Sequence, residues 1–148
     1  MTRSNVRIPR SGPIYSFNDA NDKEWDPSIR HFINDLKAGK LSHAQASKKR
    51  TARYAGSLVA DLHNIIINGG IFGYPGTTSK PKGKLRLVYE ANPMALIVED
   101  AGGSASSGLQ RILDMTVTDV HQRTPLFIGS FEEVAALEKY CAFYSHHK

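Results

Sequence analysis

The sequence predicts a layered α/β domain. Short runs of β-branched and aromatic residues alternate along the chain with segments whose apolar residues recur at helical spacing. Most of those segments open on a capping residue or proline and close on glycine. The 148 residues suit one domain, and 41% apolar with 22% charged residues suits a globular core. No apolar run approaches the ~20 residues that span a bilayer, so no membrane partner is expected. Arg3, Arg7 and Arg10 flank no unbroken apolar stretch, so no secretory leader is expected either. Cys141 is the single cysteine, which excludes an internal disulfide and fits a reducing compartment. The net charge of +5 favours anionic partners: nucleic acid, phosphorylated metabolites and acidic membranes all qualify on charge alone. The six histidines form no metal-ligand spacing.

Residues 1–11 read as an extended lead-in. Ile14-Tyr15-Ser16-Phe17 is a run of strand formers, and Asn18 to Asp22 a polar loop. Asp26-Pro27 starts a helix whose apolar side carries Ile29, Phe32, Ile33 and Leu36, ending at Gly39. The Lys48-Lys49-Arg50 triplet reads as a solvated turn or as part of an anion-attracting rim. The strongest helix follows, with Leu58, Val59, Leu62, Ile65 and Ile66 on one side and Gly69-Gly70 at its end. Asp61 and His63 within it lie two apart and point to different faces, so they read as structural. Ile71 to Tyr74 is a strand, and Thr77 to Gly83 a polar loop with Lys80 and Lys82. Ser104 to Gly108 is a weak strand, and Ile112-Leu113-Asp114 a short apolar piece. His121 to Thr124 is a polar turn before the buried strand Pro125 to Gly129. Ser130-Phe131-Glu132-Glu133 reads as a capping box for a last helix through Val134, Leu137 and Tyr140.

The stretch from Gly83 to Met94 carries the most chemistry. Asn92-Pro93 is a helix start, with Met94, Ala95, Ile97, Val98 and Ala101 on the apolar face and Gly102-Gly103 as the stop. Glu90 then sits at a helix N-terminus, shortly after Lys84 and Arg86. Helix N-termini and cationic side chains attract phosphate. A carboxylate among them makes sense if Mg²⁺ or Mn²⁺ bridges it to the phosphate. The same residues also suit a surface strand with solvated charges, in which Glu90 complements the helix dipole.

Several separate segments together resemble one family. These are Tyr15-Ser16-Phe17-Asn18, Ala52 to Ser57, Gly69 to Pro75, Gly83 to Met94, Ala101-Gly102-Gly103 and His121 to Pro125. In order and spacing they are similar to class I fructose-1,6-bisphosphatase, over roughly residues 8 to 141 and to its C-terminal half only. The resemblance implies a layered mixed sheet with helices on both faces, spanning residues 1–148 as a single domain. The family's other half supplies an Asp-Pro-x-Asp-Gly-Ser-Ser metal motif, further acidic ligands and an AMP site. No Asp-x-x-Asp-Gly-Ser pattern occurs here, so Met1 is expected to mark a truncation, an excised domain or an incomplete gene model.

By resemblance, Glu90 is the one metal-ligating acid of this half, and Mg²⁺ (or Mn²⁺) the cofactor. Lys84 would hold sugar oxygens, and Arg86 would lie near the departing phosphate. Asn18, Tyr54 and Tyr74 would hold the 6-phosphate, and Arg53 would reach a neighbouring subunit's 6-phosphate. Asn21 stands where the family usually has another tyrosine and is a shorter hydrogen-bond donor. The implied reaction is hydrolysis of fructose 1,6-bisphosphate to fructose 6-phosphate and phosphate, in gluconeogenesis or the Calvin cycle. The implied assembly is a homotetramer, and the implied place the cytoplasm, with the chloroplast as alternative. The isolated chain is expected to bind fructose 6-phosphate weakly, to hydrolyse nothing and to expose an apolar patch. Two alternatives are a sedoheptulose-1,7-bisphosphatase and a basic module for nucleic acid or protein. Against nucleic acid, aromatic and basic residues are not interleaved, and no helix-turn-helix or zinc signature occurs.

Overall fold

The computed structural model describes residues 5–41 and 50–146. In order, the chain forms β1 (Ile14–Ser16), a 3-10 turn (Asp19–Glu24), α1 (Pro27–Ala38), β2 (Thr51–Ala52), α2 (Leu58–Asn68) and β3 (Gly70–Tyr74). Then come β4 (Leu85–Arg86), a π-helical turn (Leu87–Ala91), α3 (Asn92–Asp100) and β5 (Ser104–Ser106). A 3-10 turn (Ile112–Asp114), β6 (Arg123–Thr124), β7 (Leu126–Gly129) and α4 (Phe131–Ser145) complete it. The main sheet has the order β2-β1-β3-β7-β5, and β4 pairs with β6 in a separate ribbon. β1 runs parallel to β2 and β3, whereas β7 is antiparallel to β3 and β5.

Strand alternation divides the core between the two faces. Ile71 and Phe127 join Tyr15, Phe32, Leu36 and Leu137, which places α1 and α4 on one side. Phe72, Leu126 and Ile128 join Leu62, Ile65, Ala95 and Val98, which places α2 and α3 on the other. The fold is therefore a layered mixed sheet with helices on both faces. Gly70 permits the close approach of β1 to β3: its φ is +125°, and a Cβ there would lie 1.9 Å from the Ile14 carbonyl oxygen.

Helix α1 follows its sequence signals, with the Asp26 carboxylate accepting from the Ser28 N–H at 3.0 Å and Gly39 in the left-handed conformation. Other elements differ from expectation. The polar loop after Phe17 coils into a 3-10 turn capped by Asn18. Asn92 is no cap, because a π-helical turn runs from Leu87 straight into α3 and puts Glu90 inside it. Val59 (62% exposed) and Ile97 (51% exposed) face outward rather than into the core. Ile67 and Leu96 are exposed on the same two helices.

The Ser130 capping box does not form. Ser130 Oγ donates to the Pro9 carbonyl at 2.6 Å and accepts from the Gly70 N–H at 3.0 Å. Glu133, fully buried, accepts from Ser11 Oγ and the Gly12 N–H and pairs with Arg50 Nη2 at 3.1 Å. Arg50, whose side chain is 1% exposed, is thus an interior ion-pair partner and not a solvated rim residue. Lys48 and Lys49 lie outside the described residues.

α1 and α4 are tied by the Tyr140 hydroxyl, which donates to Asp35 Oδ2 at 2.7 Å. Burial, and then the Asp35 carboxylate, push this phenol up to about 12 from its ordinary 10.0. A folded-state value above the unfolded one gives stability that is complete below pH ~10 and lost as pH rises toward ~12. Tyr140→Phe should lower Tm at neutral pH and flatten its fall between pH 10 and 12, checked by thermal melts across that range.

Candidate functional site

The β4–β6 ribbon and the π-helical turn place the first group of side chains. Gly83 enters the ribbon at φ +73°, where a Cβ would meet the Thr124 carbonyl oxygen at 2.8 Å. Leu85 then pairs with Thr124 and Arg86 with Arg123, which brings Lys84 out of the turn as an exposed cation. The Arg86 backbone N–H donates to Glu90 Oε2 at 2.8 Å, and the Arg86 guanidinium lies 3.9 Å from the same oxygen. Glu90 is thereby half-buried and fixed beside a cation, an arrangement a continuous α-helix from Asn92 would not produce.

The second group rests on Asp61. Its buried carboxylate accepts from the Ala55 N–H at 2.7 Å and the Gly56 N–H at 3.1 Å. These bonds fix the loop that carries Arg53 and Tyr54, so Asp61 is structural as expected. His63 is exposed on α2. Burial pushes the Tyr54 phenol above its ordinary range, with Tyr74 and Asp61 adding to the shift. Tyr54 therefore stays protonated and remains a hydrogen-bond donor at neutral pH. Asp61→Ala should cost about 1–3 kcal/mol by leaving two backbone donors without their acceptor. Faster amide hydrogen exchange at Ala55 and Gly56 would report the loosened loop.

These pieces meet in two adjoining depressions. One, of about 200 Å³, is lined by Tyr54, Tyr74, Lys84, Arg86 and Glu90 over Leu58 and Phe72. The other, of about 230 Å³, is lined by Asn18, Asn21, Trp25, Tyr74, Lys80 and Lys84. Tyr74 and Lys84 border both. Asn18 Oδ1 accepts from the Ala20 N–H at 3.3 Å, which leaves its NH₂ group as a donor. Arg53 lines neither depression; it is exposed, and its guanidinium donates to the Ala52 carbonyl at 3.1 Å.

Among the described residues, no three His, Cys, Asp or Glu side chains converge as metal ligands. Glu90 can offer one carboxylate, but Mg²⁺ requires a near-octahedral oxygen shell. These residues alone do not build a metal site. Sequence reasoning did not assign a binding role to Trp25, Glu24 or Ser79. Ser79 Oγ donates to Glu24 Oε2 at 3.1 Å across 55 positions of chain, a contact no local pattern announces.

The chain matches the family model described as "Fructose-1-6-bisphosphatase, C-terminal domain" over residues 8–142. It is 51% identical over 142 residues to the chloroplastic fructose-1,6-bisphosphatase of Pisum sativum, covering 96% of this chain and 34% of that protein. It is 47% identical over 140 residues to the class 1 enzyme of Trichodesmium erythraeum, covering 95% of this chain and 37% of that protein. The crystal structure of Leishmania major fructose-1,6-bisphosphatase in apo form superposes with a TM-score of 0.85 at 42% identity. That match covers 94% of this chain and 43% of the other. The chain thus spans about a third of the length of those two sequence relatives.

Proposed function

The chain belongs to the fructose-1,6-bisphosphatase family, and from that premise we propose that it supplies the sugar-phosphate platform of a fructose-1,6-bisphosphatase. The reaction is hydrolysis of the 1-phosphate: water forms the new P–O bond, the phosphoryl bond to the sugar oxygen breaks, and fructose 6-phosphate and phosphate leave. One observation carries the reading: Tyr74 and Lys84 form a common border between a depression holding Glu90 and Arg86 and one holding Asn18 and Asn21. A ligand with a reacting anion at one end and an anchoring anion at the other suits that shape.

In this reading Asn18, Asn21 and Tyr74 donate hydrogen bonds to the 6-phosphate, Tyr54 reaches it from the Glu90 side of the border formed by Tyr74 and Lys84, Lys84 holds sugar oxygens, and Arg86 stabilises the departing phosphoryl group. Glu90 contributes one ligand to Mg²⁺ (or Mn²⁺), with the other ligands supplied from outside the residues described. Such an ion would supply charge neutralisation at the phosphoryl group. Arg53, exposed on its loop, is free to cross to a neighbouring subunit in a homotetramer. That these relatives are fructose-1,6-bisphosphatases favours fructose over sedoheptulose bisphosphate. The chloroplastic plant relatives support a plastid setting beside a cytoplasmic one. The buried Arg50–Glu133 pair withdraws Arg50 from the Lys48-Lys49-Arg50 triplet that could have formed an anion-attracting rim for nucleic acid.

Phosphate release from fructose 1,6-bisphosphate with Mg²⁺ tests the division of labour. The chain alone should release none yet should bind fructose 6-phosphate in a calorimetric titration. Sustained turnover would show that these residues need no others; absence of binding would remove the platform itself.

A further inference from the structure

We infer that Lys80 is a further anchoring residue for the phosphate at the Asn18 end of the cleft, a role that rests on the sugar-phosphate reading above. Lys80 lines that depression together with Asn18, Asn21, Tyr74 and Lys84. Its backbone is held at the hub of the loop. The Lys80 N–H donates to the carbonyl and to Oγ1 of Thr77, both at 3.1 Å. The Lys80 carbonyl accepts from the Thr77 N–H at 3.0 Å and the Gly83 N–H at 2.9 Å.

The loop is in turn fastened to the 3-10 turn that Asn18 caps. The Thr78 N–H donates to the Glu24 carbonyl at 3.0 Å, Ser79 Oγ donates to the Glu24 carboxylate, and Trp25 bridges to Thr77. The base of the Lys80 side chain is therefore set against Asn18 and Asn21 before any ligand arrives, and little loop entropy is lost on binding. Asn21 has a short amide where more reach would help, and a four-carbon stem ending in an ammonium supplies that reach and a full charge. The Glu24 carboxylate also lines this depression, and its bond from Ser79 partly offsets its repulsion of an anion. Lys82, two residues along the same loop, lines neither depression and serves as an internal control.

The test is calorimetric titration of the 148-residue chain with fructose 6-phosphate, inorganic phosphate and fructose in turn. Lys80→Ala and Lys80→Gln should each weaken both phosphate ligands by about fivefold, the scale of an exposed charge contact, and leave fructose unchanged. Lys80→Arg should retain most of the affinity, and Lys82→Ala should change nothing. Equal losses from Lys80→Ala and Lys82→Ala would reduce the effect to the general positive field and overturn the assignment. Unchanged phosphate affinity in Lys80→Ala, with a large loss in Lys84→Ala, would also overturn it while leaving the sugar-phosphate reading intact. Failure of the unaltered chain to bind fructose 6-phosphate would overturn both.

Discussion

Glu133→Gln is expected to lower the stability of the fold by about 3–5 kcal/mol, the scale of breaking a buried ion pair from one side. The Arg50 side chain, 1% exposed, has almost no access to water. The same carboxylate gathers Ser11 and Gly12 from the lead-in to β1. Its loss therefore loosens three segments that are far apart in sequence. A domain is commonly stable by only 5–15 kcal/mol, so the loss is a large share of the total. Urea denaturation should show a clearly lower midpoint for Glu133→Gln. The double replacement Arg50→Met with Glu133→Leu should recover much of the difference, because both charges of the pair leave the interior together. A single variant as stable as the parent would mean that the Arg50–Glu133 pair contributes little to holding these segments together.

The largest effect on ligand binding is expected from Lys84→Ala. Lys84 borders both depressions, so its loss is felt at the sugar and at the anchoring end together. A charge-assisted hydrogen bond contributes about 1.5–3 kcal/mol, which corresponds to ~10–100-fold weaker binding of fructose 6-phosphate. Lys84→Arg should restore only part of it, since a planar guanidinium fork does not sit where a compact ammonium did. The residue is exposed and lies outside the core, so thermal melts should hardly change. An unaltered dissociation constant in Lys84→Ala would remove the cleft as the place where sugar phosphates bind.

Local chemistry made much of the architecture legible. Ile71 to Tyr74 read as a strand and Pro125 to Gly129 as a buried one, and Asp26-Pro27 with Gly39 bounded α1 in advance. What stayed hidden depends on partners distant in the chain. Glu133 has the spacing of a capping box, and only its approach to Arg50 and Gly12 turns it into an interior anion. β2 is two residues long and shows no pattern of its own; β1 recruits it. The π-helical turn was equally silent, although it decides where the Glu90 carboxylate points. Within the cleft, Lys84, Arg86 and Glu90 could be read together because they are neighbours in sequence. Asn18, Tyr54 and Tyr74 come from separate segments, and only the resemblance linked them; the fold sets Tyr74 between the depression of Asn18 and that of Tyr54.

The position of β7 has a consequence for how the chain is made. Among the described residues β5 is hydrogen-bonded into the main sheet through β7, which separates it from β3. A nascent chain leaving the ribosome can assemble β1, β2 and β3 early, yet β5 must wait with an open edge until Leu126–Gly129 has emerged. Loss of those four residues would leave β2, β1 and β3 paired but strand β5 without its partner, making a nonsense change upstream of Leu126 far more damaging than one near Ser145.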